Sequence, residues 1–276
     1  MSVGPQRLSL NTATVKHLSL RDSVELCQRH EIGGIGLWRE QIQEIGVDVA
    51  AAIVRDSGLR VSSVCRAGFF TVGPSDWARM LEDNRAAIDE AAAVGADVLV
   101  LVSGGLSAGS RSLPHARKLI ADAIAELAPV ASAAGVGLGI EALHPMFCAD
   151  RCAISRLGQA LELALQFPAE TVGVVVDAYH VWWDDAVLDE IARAADRIFS
   201  YQVCDWTLPL PSEVLLGRGH VGDGHIEFGP LTQAVEAAGY EGMIEVEIFN
   251  EAIWAAPPDE TARTVRERFD AHIVSC

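Results

Sequence analysis

The chain alternates short hydrophobic runs with longer amphipathic stretches, and one of these runs is the clearest. In residues 172–180 (VGVVVDAYH), four of the first five residues are valine and no polar residue interrupts them. A β-branched run without polar alternation is typical of a strand covered on both faces, as in a parallel sheet. Asp177 then lies where the strand ends and His180 lies just beyond it, which is where parallel α/β barrels place their chemistry.

The same alternation of strand and helix continues along the whole chain. Predicted strands cover residues 6–10, 32–38, 60–64, 97–102, 136–141, 172–177, 197–203 and 242–248. Predicted helices cover residues 19–30, 48–56, 76–94, 114–134, 155–167, 185–195, 230–238 and 259–273. Pro129 is expected to bend or divide the fourth helix. Units repeating at roughly 30 to 35 residues predict a TIM (β/α)8 barrel, a single domain over residues 1–276.

An open, doubly wound sheet is the main alternative for this alternation. Such folds carry a glycine-rich dinucleotide fingerprint after the first strand. Residues 7–15 (RLSLNTATV) contain no glycine. The barrel is therefore the favoured fold.

Charge and apolar content narrow the classes of function. With 276 residues, 50% of them hydrophobic, the chain can bury one large core. A formal net charge of −17, with scattered Lys and Arg, disfavours nucleic-acid binding. The sequence shows neither a signal peptide nor a run near the ~20 apolar residues of a membrane helix, so we expect a cytoplasmic protein. The six cysteines lack CxxC spacing and are expected to be free thiols.

Oxygen-bearing side chains end four successive strands of the predicted barrel: Glu141, Asp177, Gln202 and Glu247. Three carboxylates that converge on one barrel mouth repel one another unless a cation lies between them. One divalent metal ion held by these four residues resolves the repulsion. The alternative is that each carboxylate caps a helix or pairs with an arginine. An oxygen-only ligand set favours Mn²⁺ or Mg²⁺, with Mn²⁺ preferred, whereas a histidine ligand favours Zn²⁺, Co²⁺ or Fe²⁺.

Residues beyond these strand ends are candidates for contact with a substrate. His144 and His180 each follow a predicted metal ligand by three residues, so either can bind substrate or transfer a proton. Arg218 is a candidate for binding an oxyanion or a phosphate. Three tryptophans at the same end offer flat faces for the C–H groups of a sugar or, alternatively, pack loops together. They are Trp38, Trp182 and Trp206.

Five motifs give the chain a family resemblance. They are IEALHP at 140–145, VGVVVDAYH at 172–180, YQVCDW at 201–206, GDGHIEF at 222–228 and GYEGMIEVEIF at 239–249. With these motifs the chain resembles the xylose-isomerase-like TIM barrels, especially the inosose isomerase and ketose 3-epimerase branch of the sugar phosphate isomerase/epimerase superfamily. The resemblance covers nearly the whole chain and suggests a homo-oligomer.

The resemblance also implies roles for individual residues. Glu141, Asp177, the residue at position 202 and Glu247 would hold one divalent metal ion, and His180 would touch substrate. Relatives carry a histidine where this chain has Gln202, whose oxygen can still bind an ion but alters the metal preference. Glu141 and Glu247 would exchange a proton with the carbon beside a substrate carbonyl. The expected activity is thus a metal-dependent isomerase or epimerase of a keto-sugar or keto-inositol that forms an enediolate.

Two other functions are compatible with the same barrel. One is the large subunit of a C-glycoside deglycosidase, a lyase acting on 3-oxo-glycosides, in which His144 would be the general base and a small partner subunit would be required. The other is a non-catalytic sugar-binding barrel. The apurinic-site endonucleases of the superfamily are disfavoured because this chain is acidic and carries Gln202.

Overall fold

Parallel strands form the centre of the molecule and close into a ring. The computed structural model describes residues 3–275. The barrel strands are β1 (Leu8–Asn11), β2 (Gly34–Trp38), β3 (Arg60–Gly68), β4 (Val98–Val102), β5 (Gly137–Glu141), β6 (Val172–Asp177), β7 (Ile198–Val203) and β10 (Ile244–Val246). They pair in the order β1-β10-β7-β6-β5-β4-β3-β2, which confirms the predicted TIM barrel. A separate antiparallel pair, β8 (Asp205–Trp206) and β9 (Arg218–Gly219), lies in the loop after β7.

Helices follow the barrel strands and cover the outside of the ring. They are α1 (Leu20–Arg29), α2 (Arg39–Ile45), α3 (Val47–Ser57), α4 (Trp77–Ala93), α5 (Leu113–Ala134), α6 (Leu157–Ala164), α7 (Ala178–Val181), α8 (Val187–Ala194), α9 (Phe228–Ala237), α10 (Glu251–Ala255) and α11 (Pro258–Phe269). A π-helical turn, Asp270–Val274, continues α11. None of the helices in the described residues has the length and hydropathy needed to cross a membrane.

The strand with the clearest sequence signal is buried along its whole length. All six residues of β6 are buried, as a parallel strand between two layers requires. Asp177 ends this strand and caps the short helix α7, since its Oδ1 accepts a hydrogen bond from the backbone N–H of Tyr179 (2.8 Å). The end of the valine run therefore delivers a carboxylate to the carboxyl end of the barrel.

Helix α2 is not expected from the sequence pattern, which leaves residues 39–45 between a strand and a helix. Its first residue, Arg39, is buried and forms ion pairs with Asp83 (3.2 Å) and Glu90 (2.6 Å) of α4. Burial of Ile42 adds an apolar contact. Tertiary contacts of two residues therefore fix a helix that the local pattern alone does not specify.

Pro129 does not divide the fourth predicted helix. Helix α5 runs without interruption from Leu113 to Ala134 and contains Pro129. Its buried face, which includes Ile120, Ile124 and Leu127, packs against the barrel on the N-terminal side of the proline. Of the two expected effects, a bend or a division, the division is wrong, because this packing outweighs the hydrogen bond that proline removes.

Candidate active site

The carboxyl end of the barrel holds a cavity of about 240 Å³. Its walls are formed by Trp38, Cys65, Arg66, Val100, Val102, Glu141, Leu143, Arg151, His180, Leu215, Arg218, Glu247 and Phe249. Active sites of TIM barrels lie at this end. Sites for drug-sized ligands span about 300–1,000 Å³, so this cavity suits a molecule the size of a monosaccharide.

Glu141 and Asp177 form a close pair of buried carboxyl groups where β5 and β6 end. One carboxylate oxygen of Glu141 lies within 4.8 Å of one of Asp177. Burial raises the pKa of Glu141 well above its ordinary value, and the neighbouring Asp177 and Glu247 raise it further. Burial also raises the pKa of Asp177, against the lowering effect of Arg218. Two carboxyl groups in such contact share a proton or a cation.

Arg218 lies between Asp177 and Glu247 and is itself almost fully buried. Its Nη1 is 3.3 Å from Asp177 Oδ2 and 3.0 Å from Glu247 Oε2, and it also donates to the Glu247 backbone carbonyl (3.2 Å). Sequence reasoning considered Arg218 a substrate contact. In the structure it lines the cavity and neutralises the carboxylates, and its role toward substrate stays a prediction.

Asp205 fixes the loop that carries Arg218. Its Oδ1 accepts from the backbone N–H groups of Trp206 (2.8 Å) and Ile226 (3.0 Å), and its Oδ2 accepts from that of Gly222 (2.9 Å). Pairing of Trp206 with Arg218 in the β8–β9 hairpin adds a second restraint. The hairpin and this buried carboxylate together hold the guanidinium over the barrel.

Glu247 follows β10 and faces the cavity. The indole N–H of Trp38 donates to its Oε1 (3.3 Å), while Arg218 binds its Oε2. Burial raises the pKa of Glu247 to about 7, the lowering effect of Arg218 being smaller than that of desolvation. A carboxyl group with such a pKa is suited to take up and release a proton near neutral pH.

Both ring nitrogens of His180 face N–H donors. The backbone N–H of His144 donates to Nδ1 (3.2 Å), and Arg218 Nη2 lies 3.1 Å from Nε2. Burial, followed by the charge of Arg218, holds the pKa of His180 well below its ordinary value. A neutral imidazole accepts at only one nitrogen. Because Nδ1 accepts from His144, Nε2 carries the proton and faces an N–H donor of Arg218, and a ligand oxygen placed between these two donors would accept from both.

Gln202 turns toward a second buried acid, Glu245, which sequence reasoning did not single out. Its Nε2 donates to Glu245 Oε1 (3.2 Å), and its Oε1 is buried without a hydrogen-bond partner among residues 3–275. Glu245 also accepts hydrogen bonds from Asn11, Ser62 and Ser63. Burial raises its pKa despite these donors. The sequence could have indicated Glu245 as a site residue, because side chains two residues apart in a strand, here Glu245 and Glu247, point to the same face.

The donor groups of the site fit a divalent metal ion. Glu141, Asp177 and His180 each offer one atom to a group whose members lie within 4.8 Å of one another. When Glu141, Asp177 and Glu247 are ionised, Arg218 compensates one of the three charges, and a divalent ion matches the remainder. The unpaired Oε1 of Gln202 is a further acceptor. The fit involves two of the four predicted ligands directly and adds His180.

The structure places the remaining candidate residues beside the cavity. His144 packs against Trp206 (ring centroids 5.0 Å) and Trp183 (5.5 Å), and its Nδ1 accepts from the backbone N–H of Met146 (3.3 Å). Trp206 also contacts Tyr179 (4.8 Å) and Trp182 (5.8 Å). Of the three predicted tryptophans, Trp38 lines the cavity. Roles in substrate binding for His144, Trp182 and Trp206 stay predictions.

The match to known families agrees with this geometry. Residues 22–272 match the profile of the xylose isomerase-like TIM barrel family, so the chain belongs to this family. The resemblance found in the sequence motifs is thereby confirmed.

Two curated relatives show the range of activities near this chain. The inosose isomerase of Bacillus velezensis is 22% identical over 277 residues, which cover 96% of each chain. The 3-dehydroshikimate dehydratase of Pseudomonas aeruginosa is 30% identical over 184 residues, which cover 65% of this chain but 27% of that enzyme.

Solved structures share the same barrel. Protein SMc04130 of Sinorhizobium meliloti 1021 is 42% identical and superposes with a TM-score of 0.94 over 98% of this chain and 99% of that one. The IOLI protein, solved with a bound zinc atom, superposes with a TM-score of 0.83 at 19% identity, over 100% of this chain and 99% of that one.

Proposed function

We propose that this protein is an isomerase or epimerase that moves a proton on a carbon next to the carbonyl group of a small keto-sugar or keto-cyclitol. One observation carries the proposal: Glu141 and Glu247 line the same cavity, together with Arg218 and His180. Two carboxyl groups beside a buried cation provide a base, an acid and charge stabilisation. The inosose isomerase relative supports this class of reaction.

Glu247 is the proposed base. Its pKa of about 7 leaves a large ionised fraction near neutral pH while keeping the group basic enough to remove a proton beside a carbonyl. The C–H bond breaks, its electron pair forms the enediolate and the proton passes to Glu247. Return of a proton to the same carbon from the opposite face inverts it, and we assign that step to Glu141. Return to the former carbonyl carbon, with transfer of the hydroxyl proton to the former carbonyl oxygen, gives the isomer.

Arg218 and His180 are the proposed partners of the enediolate oxygens. Arg218 Nε is buried and has no hydrogen-bond partner among the described residues, so it is available to a ligand oxygen. His180 Nε2 faces the same side of the cavity as Arg218 Nη2. Donors already fixed by the protein stabilise a developing oxyanion without further reorganisation.

Glu141 and Asp177 are the proposed holders of a divalent metal ion, with the unpaired Oε1 of Gln202 as a further acceptor. His180 lies beside them, but its Nδ1 accepts from the backbone N–H of His144, so its Nε2 carries the proton and serves as a donor to the substrate. When bound, such an ion polarises the substrate carbonyl as a Lewis acid. A set of oxygen ligands favours Mn²⁺ or Mg²⁺ over Zn²⁺. The ion is identified by metal analysis of protein purified without added metal, followed by titration with each ion.

Exchange of solvent deuterium tests the proposal. Protein loaded with Mn²⁺ or Zn²⁺ is incubated in D₂O with a panel of ketoses and inososes, and deuterium incorporation is followed by NMR. We expect incorporation at the carbon next to one carbonyl. Glu247→Gln should abolish it while leaving sugar binding intact, and Glu251→Gln, a change on the exposed surface of α10, should leave it unchanged. Binding without exchange in the wild type would instead indicate a sugar-binding barrel.

Elimination is a second candidate reaction, favoured by the dehydratase relative. It begins with the same removal of a proton beside a carbonyl, after which the electron pair expels a hydroxyl group or aglycone from the next carbon. Loss of water from a substrate of the panel, or cleavage of a 3-oxo-C-glucoside in the presence of a small partner subunit, would favour this reaction over isomerisation.

A further inference from the structure

Two further arginines, Arg66 and Arg151, line the cavity that holds Glu141 and Glu247. Neither takes part in neutralising the carboxylates, a role that Arg218 fulfils with its ion pairs to Asp177 and Glu247. Both lie in the wall of the cavity that holds the proposed catalytic groups, and in the part of the chain that the structure describes neither has an acidic partner within hydrogen-bond distance. Their position suggests a ligand that supplies the negative charge.

Arg66 reaches the cavity because of an irregularity in β3. The register between β3 and β4 shifts between Val64 and Ala67, and both Cys65 and Arg66 line the cavity as a result. Such irregularities re-aim side chains and are frequent beside active sites. The sequence pattern alone, with its regular alternation, assigns these neighbours to opposite faces.

The guanidinium of Arg66 is held by aromatic rings and by no acid. Its Cζ lies 4.5 Å from the Phe69 ring centroid and 5.4 Å from that of Trp38. Within residues 3–275 it forms no ion pair or hydrogen bond. Stacking on a ring orients the plane of the guanidinium and leaves its N–H groups free to bind an oxyanion. Trp38 also donates to Glu247, so one indole ring links this cation to the proposed base.

Arg151 is similarly available. Its Cζ lies 5.8 Å from the Phe147 ring centroid, and its two carboxylate neighbours, Asp150 and Glu213, are each 3.7 Å away. These distances exceed that of a hydrogen bond. Asp150 and Glu213 are exposed by 65% and 59%, and such solvated pairs contribute little. A ligand carboxylate or phosphate would therefore compete readily for this arginine.

We propose that Arg66 and Arg151 form an anion-binding subsite, and that the substrate is a keto-sugar carrying a carboxylate or phosphate group. This inference rests on the proposed function for the position of the keto group, between Glu141 and Glu247. A neutral sugar leaves both guanidinium groups without a partner, whereas a planar carboxylate or a phosphate oxygen pair matches the arginine fork. The cavity volume limits the substrate to a small molecule.

Matched ligands test the subsite. D-fructose, D-fructose 6-phosphate, D-fructuronate and inorganic phosphate are titrated calorimetrically into wild-type protein and into Arg66→Gln, Arg151→Gln and Arg66→Lys. We expect one of the anionic ketoses to bind at least about tenfold more tightly than D-fructose, and which one binds identifies the anion. Each Gln variant should bind the anionic ketose about 10- to 100-fold more weakly than the wild type does, and should bind D-fructose with unchanged affinity. Arg66→Lys should retain part of the affinity.

Arg85→Gln, an exposed change on α4, is the matched control and should have no effect on any ligand. Equal binding of neutral and anionic ketoses, a loss that is the same for both in the Gln variants, or binding of neither anionic ketose would overturn the inference. The deuterium-exchange assay distinguishes failure of the subsite from failure of the proposed function. If an anionic ketose binds through the arginines but no substrate exchanges deuterium, the isomerase or epimerase activity is refuted and the anion-binding subsite stands. If only a neutral ketose exchanges deuterium, the activity stands and the anion-binding subsite is refuted.

Discussion

Arg218→Met should destabilise the protein more strongly at high pH than at low pH. The substitution keeps much of the side-chain volume but leaves Asp177 and Glu247 buried without the guanidinium that lies 3.3 and 3.0 Å from them. Removing one partner from a buried ion pair costs about 3–5 kcal/mol, and we expect a loss of this size at pH 8. At pH 5 the loss should be smaller, because protonation removes the charge left on Glu247.

The direction of this pH effect follows from the pKa of Glu247. In the folded wild type its pKa is about 7, above the ordinary value of 4.5. The folded state therefore binds this proton more tightly than the unfolded state, and the contribution of Glu247 to stability falls as pH rises from 4.5 toward 7. Without Arg218 the pKa rises further, so the fall continues above pH 7.

Urea denaturation at pH 5 and pH 8, with a chelator present, measures this effect. The double variant Arg218→Met, Glu247→Gln should recover part of the stability at pH 8, since only Asp177 then remains uncompensated. Equal losses at the two pH values, or a double variant as unstable as the single one, would refute the reasoning that Arg218 acts by compensating buried charge.

Three other changes test separate parts of the site. Gly36→Ala should lower the free energy of unfolding by about 1–3 kcal/mol in urea denaturation, because a Cβ at this position meets Glu245 Cδ at 2.6 Å. A decrease in the free energy of unfolding below about 0.5 kcal/mol would contradict this close contact. Gln202→His should tighten zinc binding about tenfold, since the Glu245 carboxylate is placed to accept the imidazole N–H and so to orient the new ligand. Competition with a chromophoric chelator measures the zinc affinity. Equal affinities in the variant and the wild type would show that Glu245 does not orient the imidazole toward the ion. Asp177→Asn should weaken binding of the divalent ion at least about tenfold, as shown by metal content after dialysis, and an unchanged content would remove Asp177 from the ligand set.

The barrel itself could be predicted because its signal is local and repeated. Each strand run and each amphipathic stretch is short, and the ends of β5 and β6 place Glu141 and Asp177 where the pattern puts them. Alternation along the last barrel strand places Glu245, two residues before Glu247, on the same inward face. That position conflicts with the expectation that carboxylates avoid a hydrophobic core. Donors from three other strands resolve that conflict, and no local pattern contains them.

The ion pairs of Arg218 and the position of Arg66 show why the rest of the site could not be predicted from the sequence, although Arg218 itself was a candidate residue. The position of Arg218 depends on the β8–β9 pairing and on the contacts of Asp205 with a distant part of the same loop. That of Arg66 depends on a register shift against β4, which alternation along β3 does not reveal. Both arginines change the charge of the cavity through long-range geometry.

The buried carboxylates of the site and the cation that balances them come from different parts of the fold. The barrel strands supply Asp177, and the segment just after β10 supplies Glu247, while the cation that balances them belongs to a loop held by Asp205. Exchanging the loop would therefore change the electrostatic character of the active site without altering the sequence of any barrel strand. A replacement for residues 205–226 would have to keep a cation at position 218, or be combined with neutral residues at positions 177 and 247, to avoid the loss of stability expected for Arg218→Met.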